Sequence, residues 1–238
     1  KFIMVVDLKI KKRFFEFDQK WRQSLFEALD DPVVRRSAER HAWWIDHGVL
    51  RYLYTNSFEI TKGVYRSNQP SPARIEYWFS KGVRTIVNLR GASDQGAFLL
   101  EKDMCNRLGI KLINHQLAAS SLKSKEVLLQ LCEIFKKTKT PILMHCKSGS
   151  DRAGLAAAIY LIVVNGVDPR IAAKQLSIKY LHLRWYITGV LDYMMSEYVK
   201  AFENKGICFE KWLEKEYNRD ELLETFFKGR GKWSMKKF

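Results

Sequence analysis

Residues 142–154 read ILMHCKSGSDRAG, and between His145 and Arg152 they place a cysteine, a glycine and an arginine suited to chemistry on a phosphate monoester. A thiolate is favoured where backbone N–H groups converge at a helix N-terminus, and it is then a nucleophile. An apolar strand running into Cys146, a short loop, and a helix beginning near Arg152 would turn the amides of Lys147, Ser148, Gly149, Ser150, Asp151 and Arg152 inward. With the positive end of the helix they form a cradle for a tetrahedral dianion. Gly149 permits the backbone bend that the cradle needs. Arg152 can grip two phosphoryl oxygens at once, and His145 can orient the loop by hydrogen bonding. A buried, unreactive cysteine at a strand end is the ordinary alternative. Chance produces HCxxGxxR in roughly one of a few thousand chains of this length, and seldom between a strand and a helix, so the catalytic reading prevails.

The elements that must hold this loop follow from the apolar pattern. Strands are expected at residues 63–67, 83–89, 110–117 and 141–146, and helices at 72–81, 96–108, 124–137, 152–165, 168–179 and 188–204. The alternation implies an α/β fold with a mostly parallel central sheet flanked by helices. Residues 1–56 form a helical N-terminal arm broken at Asp30-Asp31-Pro32, 57–203 the domain with the site, and 204–238 a helical and basic tail, loose from Phe227 onward.

Composition narrows the partners. Hydrophobic residues at 47% and charged residues at 28% describe a soluble globular protein. The 41 Lys+Arg against 26 Asp+Glu give a formal charge of +15, which favours anionic partners. No binding motif for nucleic acid accompanies that charge, so none is expected as a partner. Lys9, Lys11, Lys12 and Arg13 beside Phe14 and Phe15 suggest an acidic membrane surface for the arm and tail, against the plainer reading of a packed arm. No stretch reaches the length of a membrane span, and the N-terminus lacks the order of a secretory signal. Four cysteines without CxxC spacing argue against a metal site, and no cofactor is expected. A reducing, cytoplasmic location follows, with a periplasmic or membrane-associated one open should a leader precede Lys1.

HCKSGSDRAG resembles the HCx5R active-site loop of the protein tyrosine and dual-specificity phosphatase superfamily. YRSNQPSP at 65–72 with VRTIVNLRG at 83–91 is similar to the opening of its compact bacterial dual-specificity-like branch. The resemblance covers about residues 57–200. It implies Cys146 as nucleophile, Arg152 as phosphate clamp, and the amides of Lys147 to Arg152 as cradle. Two features depart from the pattern. Ala153 stands where many members have a hydroxyl that helps the thiolate leave, a task Ser148 or Ser150 could take over. The loop LAASSLKSK at 117–125 holds no carboxyl where relatives place a general-acid Asp.

The GxDR ending resembles myotubularin-like phosphoinositide phosphatases, which makes Asp151 the leading candidate acid, ahead of Glu126 and Asp94. Asp151 as an ordinary first-turn helix residue is an equal alternative. Lys147 would add charge at the pocket mouth or be a solvated loop lysine, while Arg66, Asn88, Arg90 and His115 suit structural hydrogen bonding. His182 or Arg184 could reach the pocket. The expected activity is hydrolysis of a phosphomonoester through a phosphocysteine. The substrate is a phosphoprotein first, a phosphoinositide or other phospholipid as alternative, and a catalytically weak phosphate-binding module is the rival of another class.

Overall fold

The computed structural model describes residues 2–23 and 29–233, with the side chains of 2–11, Tyr52 and 230–233 left aside. Five strands form one sheet: β1 (Phe58–Thr61), β2 (Val64–Ser67), β3 (Thr85–Asn88), β4 (Lys111–Asn114) and β5 (Ile142–His145). Their order is β1-β2-β5-β3-β4, with only the β1–β2 pair antiparallel. The central strand β5 has Ser67 and Asn88 level with His145 on its two neighbours, so the carboxyl ends of three strands share one edge. Ligand sites form at that edge in open α/β sheets.

Both faces of the central strands are covered, and every residue of β3 and β5 is buried. On one face Val87, Ile142 and Met144 pack with helices α6 (Lys125–Lys137), α7 (Asp151–Val163), α9 (Val190–Lys205) and α10 (Phe209–Lys215). On the other, Ile86 and Leu143 meet Ile75 and Trp78 of α4 (Pro72–Ser80) and Cys105 of α5 (Gly96–Leu108). Helix α7 is apolar nearly all round and lies buried over the sheet, as its sequence predicts.

The arm consists of α1 (Phe2–Gln23), α2 (Pro32–Trp44) and the short α3 (Gly48–Leu53). Asp31 caps α2 through Val33 N and Pro32 starts it. Helix α2 lies so close to α5 that a Cβ on Gly96 would stand 2.4 Å from Ala38 O. Arg22–Asp94 at 2.7 Å and Arg35–Asp103 at 2.6 Å fasten the arm to the body.

Two expectations fail. Residues 168–179 do not form one helix: α8 (Pro169–Ala172) gives way to 3-10 turns at Ala173–Gln175 and Ile178–Tyr180. The buried Arg66 draws both Gln175 O and Oε1 onto its Nη1 at 2.8 Å, diverting the carbonyl that would continue the helix. The tail is not loose from Phe227, because α11 (Arg219–Trp233) continues through it; the end of the expected tail, 234–238, lies outside the described residues. Among the described residues no helix is long and apolar enough to cross a membrane.

Candidate active site

Cys146 follows the last residue of β5 and is 1% exposed, and α7 begins five residues later at Asp151. The intervening carbonyls face away from the concave side, each towards a named donor. Lys147 O accepts from Gln69 N at 3.3 Å, and Ser148 O from Asn56 Nδ2 at 3.0 Å. Gly149 O and Ser150 O accept from Arg66 Nη2 at 2.7 and 3.0 Å. In a trans peptide the N–H points opposite to the carbonyl. The amides of Ser148, Gly149, Ser150 and Asp151 are therefore turned towards the concave side, where α7 adds its first free N–H groups. Gly149 makes the bend possible: its φ is 76°, and a Cβ there would stand 2.8 Å from Asn68 N and Ser67 C.

Arg66 is fully buried, and its guanidinium also lies 4.1 Å over the Tyr180 ring. Burial lowers its pKa to about 10, still charged at neutral pH, and the nearby Cys146 opposes that drop. His145 meets Glu101 at 2.7 Å with both side chains fully buried. Glu101 in turn accepts from Gln69 Nε2 at 2.8 Å, and Gln69 Oε1 from Arg90 Nη1 at 2.8 Å. A line of polar contacts thus runs from His145, the residue before Cys146, to Arg90.

Arg90 ends that chain in a charge cluster. It grips the buried Asp46 with two bonds of 2.8 Å, while Arg51 stands 2.9 Å and Lys147 Nζ 3.3 Å from the same carboxylate. Burial alone would raise the Asp46 pKa, but the hydrogen bonds and charge of Arg90, with Arg51 and Lys147, bring it down to about 2. Across the loop, His182 Nδ1 lies 2.7 Å from Asp151 Oδ1 and Nε2 lies 2.5 Å from Asp192 Oδ2. With a carboxylate at each ring nitrogen, the buried imidazole donates to both. Burial opposes its charge, yet bonds to Asp151 and Asp192 raise its pKa to about 9.

The loop residues named from the sequence, His145 to Arg152, are brought together. Arg152 Nε is buried and has no hydrogen-bond partner among the described residues. Asp94 is engaged by Arg22 in an ion pair with the arm. Glu126 lies in the first turn of α6, hydrogen-bonded to Ser124, and lines a surface depression with residues 214–221, one that no residue of 145–152 lines. His115 is buried, which pushes its pKa down. Asn88 bonds Gly91 O and Asn114 Oδ1, both at 3.0 Å. Arg184 is exposed, whereas His182 reaches Asp151.

Sequence reading missed Asp46, Asn56, Gln69 and Glu101. Asn56, at a φ of 45°, also bonds Tyr180 O at 3.0 Å. The Asp46-His47-Gly48 turn was a visible signal, with His47 at a φ of 59°. Tyr54 was missed too: its hydroxyl is buried, and burial, resisted by Arg66 and reinforced by Cys146, raises its pKa to about 12.

A thiol at the end of a central parallel strand, facing amides at a helix N-terminus, is the arrangement of the cysteine-dependent tyrosine and dual-specificity phosphatase superfamily. The family model described as DSP-PTPase phosphatase fused to NAD+ kinase matches residues 54–182, more than half of the chain, and the chain belongs to that family. The dual specificity protein phosphatase TpbA of Pseudomonas aeruginosa is 29% identical over 122 residues, covering 51% of this chain and 53% of the relative. Inositol diphosphatase DSP2 of Oryza sativa is 29% identical over 122 residues, 47% of this chain and 55% of its own. The chain thus spans about half the length of the curated relatives it matches. The crystal structure of the core catalytic domain of the PP-IP phosphatase SIW14 from S. cerevisiae aligns with a TM-score of 0.48 at 17% identity, over 63% of this chain and 92% of that one.

Proposed function

We propose that the chain hydrolyses phosphate monoesters through a phosphocysteine on Cys146. The carrying observation is the loop directly after Cys146, whose carbonyls from Lys147 to Ser150 are all engaged from outside by Gln69, Asn56 and Arg66, together with the buried, unpartnered Arg152 Nε. In the first step the Cys146 thiolate attacks phosphorus in line. The S–P bond forms, the ester P–O bond breaks, and the leaving oxygen takes a proton. Lys147 to Arg152 hold the phosphoryl oxygens, with Arg152 bidentate. In the second step water attacks the thiophosphate, releasing inorganic phosphate and the thiolate. Ser148, whose Oγ accepts from Ser150 N at 3.4 Å, is the hydroxyl proposed to assist that departure, with Ser150 as the alternative, in place of the one that Ala153 lacks. Asp151 is the proposed acid: it passes to the leaving oxygen a proton that the protonated His182 supplies across their hydrogen bond.

The substrate proposed first is a phosphoprotein, on the kinship with TpbA. A phosphorylated inositol or its lipid is the second reading, favoured by the cations Lys147, Arg51 and Arg90 gathered at one flank and by the kinship with DSP2. The arm offers Phe14, Phe15 and Phe17, each more than half exposed, to an acidic membrane. Turnover of para-nitrophenyl phosphate, phosphopeptides and short-chain phosphoinositides, compared with Cys146→Ser, tests the reading. The variant should keep phosphate binding and lose turnover; near-normal rates in it, or phosphate binding without turnover by the native chain, would end it.

A further inference from the structure

The segment that delivers His182 to Asp151 turns a different set of side chains outward. Ile178 is 64% exposed, Leu181 52%, Trp185 59% and Tyr186 62%, with Leu183 and Ile187 each at more than a third. Soluble chains seldom leave so many large apolar groups together in the open. From residue 169 to residue 191 the chain has no acidic residue, while it carries Arg170, Lys174, Lys179 and Arg184.

The display is built rather than loose. Leu181 N bonds Ile178 O at 2.9 Å, His182 N bonds Ser177 O at 3.1 Å, and Tyr186 N bonds Leu183 O at 3.0 Å. Gly189 lets the turn close, since a Cβ there would stand 1.9 Å from Arg184 O. Leu181 occupies the left-handed region at a φ of 57°. Glycine or asparagine would sit there at lower cost and expose less apolar surface to water. The same segment is pinned to the cradle at three points: Asn56 bridges Ser148 O and Tyr180 O, Arg66 stacks on Tyr180, and His182 bonds Asp151. The patch is therefore a lip of the site.

Aliphatic groups with a tryptophan, a tyrosine and cations only, on a chain of charge +15, match an anionic lipid interface. Pairing with a second copy through the same face would set Lys179 and Arg184 against their own counterparts. We propose that residues 178–187 dock on an anionic bilayer and present the cradle to phosphate groups borne on lipids, which moves the lipid, the second substrate reading above, ahead of the phosphoprotein. The substrate half of this proposal rests on the phosphatase reading; the docking half does not.

The test uses the full chain, sedimented with phosphatidylcholine vesicles with and without phosphatidylglycerol. The native chain should bind the anionic vesicles in a salt-sensitive manner. Trp185→Ser with Tyr186→Ser should weaken that binding about tenfold or more, leaving para-nitrophenyl phosphate turnover unchanged. Leu181→Asn relieves a strained residue and so guards against simple misfolding; it should give a smaller loss in the same direction. No binding by the native chain, or full binding by the double variant, would overturn the proposal, the second result pointing to the arm. A change from dimer to monomer in the double variant, without effect on vesicles, would assign the patch to a second copy. Vesicle binding by a native chain that turns over no phosphate ester would sink the phosphatase reading while leaving the docking surface standing.

Discussion

On one flank of the loop a single carboxylate, Asp46, sits among Arg51, Arg90 and Lys147; on the other a single imidazolium, His182, sits between Asp151 and Asp192. The first flank carries a surplus of positive charge and the second a surplus of negative charge. A positive surplus beside a cradle draws and holds a dianion. A protonated group between two carboxylates can instead move a proton with little motion of heavy atoms. The flanks also differ in what they secure: Asp46 joins the arm to the loop, whereas His182 joins the start of α7 to the start of α9.

Breaking the first flank should have the largest effect. Asp46→Asn removes the one carboxylate shared by three cations, two of them mostly buried, and is expected to cost about 3 kcal/mol of stability. Urea unfolding of the variant measures this; a loss within a few tenths would mean that Arg51 and Arg90 find other partners. On the second flank, Asp151→Asn should slow hydrolysis of a tyrosyl or alkyl phosphate about 10²-fold, or about 2.7 kcal/mol. An activated aryl phosphate, whose phenolate leaves unaided, should lose much less. Equal losses on both substrates would show that Asp151 shapes the loop instead.

The smallest effect is in the response to pH, and its sign differs between the flanks. His182 has a folded pKa raised from 6.5 to about 9. Its contribution to stability is full below pH 6.5 and fades as pH climbs through about 9. Asp46 has a folded pKa lowered from 3.8 to about 2, so its contribution is full above 3.8 and fades as pH falls towards 2. Melting temperatures followed from neutral to alkaline pH should decline in the native chain and stay flatter in His182→Asn. Parallel curves would show that the second flank holds no extra proton in the folded state.

The cradle itself was legible because its parts are close in sequence: an apolar strand, Cys146, Gly149 and Arg152 all fall within one strand–loop–helix turn. Helix α5 was equally plain, ending at Gly109 in the left-handed conformation. What holds the loop from outside was not legible. Asn56 reaches Ser148 across 92 residues, and Arg66 reaches Gln175 across 109, contacts that no local pattern announces. Residues 168–179 misled for a related reason: Ile171, Ala172 and Leu176 have helical spacing, yet a buried arginine from β2 claims the carbonyl the helix needed. Strand β1 escaped notice because it is four residues long, irregular in register near Ile60 and not fully buried on either face.

The contacts of Asn56 and Arg66 also bear on how the chain folds. They close loops of 83 to 124 residues around the cradle, and such closures come late because chain entropy opposes them until the rest of the core exists. The anion pocket is accordingly absent from partly folded forms, whatever helices and strands those forms contain. A bound oxyanion would therefore be sensed by the whole folding equilibrium, raising global stability by mass action rather than merely stiffening one loop.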